Sequence, residues 1–136
     1  MAKKIGLAVL ALLVLLQFVP VDRENPPVPG DFDGPPAVRD ILVRSCYDCH
    51  SNLTRWPWYS RVAPISFLVA HDVEEGRSKL NFSQWGTYGQ AERAHQVAEI
   101  QEVIEEGEMP LPIYLLMHGE AKLSGGDLQT LRGWRP

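Results

Sequence analysis

The chain's two cysteines stand three positions apart in "SCYDCHSN", residues 45–52, with a histidine directly after the second. Residues three apart share a face of a helical turn, so Cys46 and Cys49 can present two thiols along one edge of a flat ligand. C-x-x-C-H at this spacing is the attachment sequence for haem c: the thiols add to two vinyl groups, and His50, held under the ring, binds the iron as proximal ligand. Other paired-thiol chemistries fit less well. A redox dithiol of the thioredoxin kind follows a strand in an α/β context, which this sequence does not offer. Zinc wants four ligands, and His71, His95 and His118 fall at no ligand-like interval. A disulfide across two residues is strained and closes almost no loop.

One histidine leaves the other axial position to be assigned. Met109 is the first candidate, because it stands after a helix stop and before Pro110, where a thioether can be presented free of helical constraint. Met117 and His118 are its rivals, and His118 can instead cap a short helical turn. His71 lies beside Phe67 and Glu74 on a helix flank and reads as an interface residue, while His95 shares a polar face with Glu99 and Glu102. Trp56, Trp58 and Tyr59 follow the motif closely enough to wall a haem, with N–H and O–H groups able to reach propionates. Arg61 and Arg77 are candidates for pairing with a propionate. A backbone carbonyl near Pro64 is expected to accept the second ring N–H of His50 and fix its tautomer.

The elements that must position these groups read as helices. Pro36 suits the first turn of a helix running into the motif, with Val38, Ile41, Leu42 and Ser45 at helical spacing. A second helix is expected over Ile65–Glu75, stopping at Gly76, with Ile65, Leu68, Val69 and Val73 inward. A third covers Gln90 to Glu106, with Ala94, Val97, Ala98, Ile100 and Ile104 inward, Gly107 as its stop and Ser83 or Thr87 as a cap before it. Ser124 and Asp127 form a capping-box signature ahead of Leu128, Leu131 and Trp134. With no period-2 strand, the fold class is all-α: three or four short helices joined by long proline-rich loops.

The two ends of the chain differ in character. Lys3 and Lys4 precede an apolar run, Ile5 to Val19, broken only by Gln17. Residues 1–19 are therefore a signal peptide or an uncleaved membrane anchor, the latter favoured because no small-residue cleavage site follows. Residues 20–35, with six prolines when Pro36 is included, read as a linker between membrane and domain. Residues 36–136 are expected to form the c-type haem-binding domain. Setting Lys3 and Lys4 aside leaves 11 basic against 17 acidic residues, a formal net charge of −6. That balance disfavours nucleic acid as a partner.

With these residues in view, the chain resembles the small monohaem "haem-binding domain" family of exported bacterial proteins, which is similar in architecture to cytochrome c. The likeness runs from about Pro35 to Trp134 and is carried by "CYDCHSNLTRWPWYS", "GRSKLNFSQW" and "EMPLPIYLLMHGEAKLS". The resemblance implies covalent haem c at Cys46 and Cys49, iron bound by His50, Met109 as distal ligand, and a stand-alone domain behind an N-terminal membrane helix.

The expected function is an electron carrier rather than an enzyme: a monohaem c-type cytochrome in the bacterial periplasm or on the outer face of the cytoplasmic membrane. Its acidic third helix would face a basic redox partner. The alternative is a haem-based sensor or gas-binding module with an open or displaceable distal site. A peroxidase-type activity using His71 or His118 is a third reading.

Overall fold

The computed structural model describes all 136 residues and is helical throughout, without strands. The α-helices are α1 (Ala2–Leu16), α2 (Pro36–Ser45), α3 (Tyr47–His50), α4 (Ile65–Lys79), α5 (Gln90–Glu105), α6 (Pro112–Leu115) and α7 (Gly125–Gly133), with 3-10 turns at Trp58–Arg61, Phe82–Thr87 and Gly119–Ala121. The four helices expected from periodicity are α2, α4, α5 and α7; α3 and α6 are single turns.

The expected N-terminal membrane helix is not borne out. α1 has 15 residues, about 22 Å at 1.5 Å per residue, against a hydrocarbon core of about 30 Å. No helix is long and apolar enough to cross a membrane. α1 buries none of its residues, and its end is tied to the rest through Gln17, which donates to the Ala63 carbonyl at 3.1 Å and accepts the Ala63 N–H at 3.0 Å.

Residues 20–35 are extended, as their prolines require, and docked along much of their length. Asn25 and Arg23 donate to the carbonyls of Thr54 and Ser60. Asn52 donates to the carbonyl of Pro27. Gly30 exchanges backbone hydrogen bonds with Ser83 and Gly86. Phe32, 4% exposed, enters the core. The packed part of the molecule thus begins ahead of Pro36.

That core is aromatic. Phe32 meets Phe82, Trp85 and Trp134 at ring separations of 6.0, 5.4 and 5.4 Å, offset or edge-on as ring quadrupoles prefer. Val38, Ile41 and Leu42 of α2, Val97, Ile100 and Ile104 of α5, and Leu131 of α7 close around it. Ala94 and Ala98, expected inward, are exposed: three larger side chains one turn apart already fill the contact stripe of α5. α7 begins with the expected capping box, Ser124 and Asp127 bonding reciprocally. Asp127 also accepts Arg44 of α2 at 2.8 Å. At the other end of α7, Gln101 of α5 donates to the carbonyls of Leu131 and Trp134, adding to the Trp134 N–H that already reaches the Leu131 carbonyl.

α5 stops at Gly107, whose φ of 74° is the left-handed region glycine enters at little cost. The Glu108 N–H then reaches back to the Val103 carbonyl at 3.0 Å, the Schellman pattern. The N-terminal cap is Gly89 without a side-chain bond; neither Ser83 nor Thr87 fills that role.

Candidate functional site

Cys46, Tyr47, Asp48 and Cys49 occupy the junction of α2 and α3, where the Cys49 and His50 N–H groups both return to the Cys46 carbonyl. This one turn sends its side chains in different directions. Tyr47 goes to the core, stacked on Phe82 at 5.3 Å with planes 9° apart, its hydroxyl donating to Asp31 at 3.0 Å. Asp48, 8% exposed, accepts the Arg55 backbone N–H and both arms of its guanidinium, and accepts the Tyr114 hydroxyl at 2.8 Å. Burial raises the Asp48 carboxyl, yet the hydrogen bonds from Arg55 and Tyr114 bring it below its ordinary value. The two residues between the cysteines therefore anchor the turn, and the cysteines and His50 are left to a cavity.

That cavity, about 340 Å³, is lined by Cys46, Cys49, His50 and Met109, with Gly76 from α4 and Ile100 and Ile104 from α5. A second, also about 340 Å³, adjoins it; the two share Asp48, Cys49, Asp72, Leu111 and Tyr114 as lining. Trp58, Tyr59, Ile65, Leu68, Met117 and His118 line this second space. Together they form one largely apolar crevice of ligand-binding size.

The histidine is held from behind. His50 Nδ1 lies 3.0 Å from the Gly76 carbonyl and 3.2 Å from that of Leu80. Two carbonyl acceptors place the proton on Nδ1 and leave Nε2 with its lone pair for a metal. Burial lowers the imidazole's proton affinity and outweighs the two carbonyls, which raise it, so the neutral ring is favoured. The carbonyl expected near Pro64 is not the partner; the C-terminal turns of α4 are. α4 also runs through Gly76 to Lys79 instead of stopping there. Gly76 serves close approach: a Cβ on it would fall 2.7 Å from the Cys49 carbonyl oxygen. At the start of the same helix Ile65 and Leu68, expected in the core, are 48% and 44% exposed along the second cavity.

Both thiols are free. Burial pushes Cys46 up to about 12 and Cys49 up to about 11, so neither is a thiolate at neutral pH. That suits neither a redox dithiol nor a zinc thiolate, and no three His, Cys, Asp or Glu side chains cluster closely enough to hold a metal ion.

The remaining expected site residues divide. Met109, half-buried, faces the cavity of the cysteines and His50. Met117 and His118 face the adjoining space. His118 is engaged: its Nε2 is 2.7 Å from the Tyr59 hydroxyl, and its ring stacks on Tyr114 at 4.2 Å. His71 is exposed on α4, 3.5 Å from Glu75. Trp58 and Tyr59 wall the crevice, but Trp56 turns away to donate to Asn25. Arg61 is exposed outside both cavities. Arg77 clamps the carbonyls of Ser51 and Glu24 and the side chains of Asn25 and Thr54. Asp48, Arg55 and Tyr114 were not singled out from sequence, and Gly76 only as a helix stop; of these Asp48 alone lies inside the motif.

A small all-helical fold holding two neutral thiols, a tautomer-fixed imidazole and a thioether on one apolar crevice defines a protein built to grip a flat, metal-bearing macrocycle. Ser45 adds a buried hydroxyl without a partner, on the same cavity wall. The sequence model of the family described as "Haem-binding domain" matches residues 11–135, and the chain belongs to that family. No curated protein and no solved structure matches.

Proposed function

We propose that the protein is an exported monohaem c-type cytochrome that passes single electrons. Cys46 and Cys49 would hold haem c through thioethers, His50 Nε2 would be the proximal ligand and Met109 the distal one. The observation that carries this reading is that all four side chains line one cavity while His50 Nδ1 is committed to the Gly76 and Leu80 carbonyls. When bound, haem supplies a one-electron iron couple, and thioether ligation raises its potential relative to two histidines. The chain's own part is to orient the imidazole, keep it neutral and line the crevice with apolar groups that exclude water.

Residues 1–19 would serve as the export signal, placing the domain in the periplasm or on the outer face of the membrane. The exposed carboxylates Glu99, Glu102, Glu106 and Glu108 would meet a basic redox partner. A gas-binding or sensing role is the second reading, favoured by the half-buried, loop-borne position of Met109, from which a diatomic ligand can displace it. A peroxidase-type reading has less support, since His71 lies outside the crevice and His118 is engaged.

The test is the ferric absorption spectrum of the haem-loaded protein. A far-red sulfur-to-iron band that disappears in Met109→Ala supports the carrier. A high-spin spectrum with rapid carbon monoxide binding by the reduced wild type favours the second reading.

A further inference from the structure

The stretch that bears Met109 is lightly built. It is fixed at its start by the hydrogen bonds around Gly107 and at its end by Ala121, which is fully buried. Between them α6 is a single turn with no buried residue; Ile113, Leu116 and Met117 are 56%, 80% and 57% exposed. Apolar burial therefore does little to hold the middle of this loop against the crevice.

Two side-chain hydrogen bonds hold the loop instead: His118 Nε2 lies 2.7 Å from the Tyr59 hydroxyl, and Tyr114 makes the tie to the cysteine turn. Its hydroxyl donates to Asp48 Oδ2 at 2.8 Å, across 66 residues of sequence. Asp48 is no surface acceptor: it is 8% exposed, fixed by three hydrogen bonds from Arg55, and sits between the two cysteines. The Tyr114 ring lines both halves of the crevice and stacks on His118 with planes 12° apart. One hydroxyl thus joins the loop carrying the methionine to the turn carrying Cys46, Cys49 and His50.

We infer that Tyr114 is a positioning residue: a latch that holds the Met109 loop closed over the crevice, so that its hydrogen bond to Asp48 sets how readily an outside ligand displaces the thioether. The inference rests on the proposed ligation by Met109 and goes beyond it, since it makes the closed state adjustable at a point that never touches the iron. A hydrogen bond to a charged acceptor, once lost, shifts such a closed-to-open balance by roughly tenfold to a hundredfold.

The experiment uses the haem-loaded full chain as wild type, Tyr114→Phe, Met109→Ala and the double variant. Tyr114→Phe keeps the ring and its stacking on His118 and removes only the hydroxyl. The readouts are the ferric far-red band and the rate of carbon monoxide binding to the reduced protein. Tyr114→Phe is expected to weaken the band and to raise the rate by about tenfold or more, while adding nothing in the Met109→Ala background. That non-additivity separates a latch acting through Met109 from a general loosening. A wild type without the band overturns the ligation and the latch together. A wild type with the band, and Tyr114→Phe with an unchanged rate, overturns the latch alone. So does an acceleration of equal size with and without Met109.

Discussion

His50 owes its chemistry to a residue without a side chain. Because Gly76 lacks a Cβ, α4 lies against the Cys49 carbonyl and brings its own carbonyl to Nδ1. Gly76→Ala must push backbone from backbone, so we expect a loss of about 1–3 kcal/mol of stability, read by denaturant unfolding of the loaded protein. An unchanged midpoint would show that the two segments are free to part. That Cys46, Cys49 and His50 would face one space was legible in the sequence, because their spacing is dictated by local geometry. The roles of Tyr47 and Asp48 were not: the x positions of C-x-x-C-H are free in the pattern, and what fixes them here are Asp31, Arg55 and Tyr114, 7 to 66 residues away.

At the scale of elements, most signals confined to one turn survived folding, the cap expected at Ser83 or Thr87 being an exception, and those needing a distant partner did not. The capping box at Ser124 and the glycine stop at Gly107 stand as read, each defined within one turn. Ser124→Ala should cost about 1 kcal/mol, and Gly107→Ala about 1–2 kcal/mol for a non-glycine residue held at positive φ. Both are measurable by chemical denaturation, and Gly107→Ala should also weaken the far-red band, as it turns the chain toward Met109. Gly76 misled as a stop because close packing and helix termination favour the same residue. The docking of residues 20–35 was hidden for another reason: proline-rich sequence shows extension but not what it lies against.

Asp31, in that docked segment, gives a pH signature. Burial pushes its carboxyl up, and hydrogen bonds from Arg39, the Phe32 N–H and the Tyr47 hydroxyl outweigh it, leaving the group below its ordinary value. A depressed carboxylate contributes stability that is present above the unfolded value, about 3.9, and is lost as pH falls through the folded one. Asp31→Asn should therefore be less stable than wild type at neutral pH, with the two converging in acid. A gap that stays constant down to pH 2 would contradict this.

The molecule as a whole is acidic, with a formal net charge of −4, and its crevice opens among exposed apolar side chains. All-helical architecture could be read ahead of the structure, because four apolar stripes at helical spacing allow little else. The crevice could not, since it is assembled from α2, α3, α4, α5 and the loop around α6. Acting as the electron carrier proposed above, the acidic protein should be oxidised faster at low salt by a cationic inorganic complex than by an anionic one of similar potential, the difference shrinking over the range where the Debye length falls to about 8 Å. The opposite order would place the exposed electron path on a basic part of the surface.

The proposal to be tested is that Cys46 and Cys49 hold haem through thioethers while His50 ligates its iron. Its most direct test is the absorption of the full chain, co-expressed with a haem-attachment machinery and exported, after unfolding in strong denaturant and gel filtration. The haem absorbance should travel with the polypeptide in the wild type and be lost from the double variant Cys46→Ala, Cys49→Ala. Haem that separates from the unfolded wild-type chain would contradict the account.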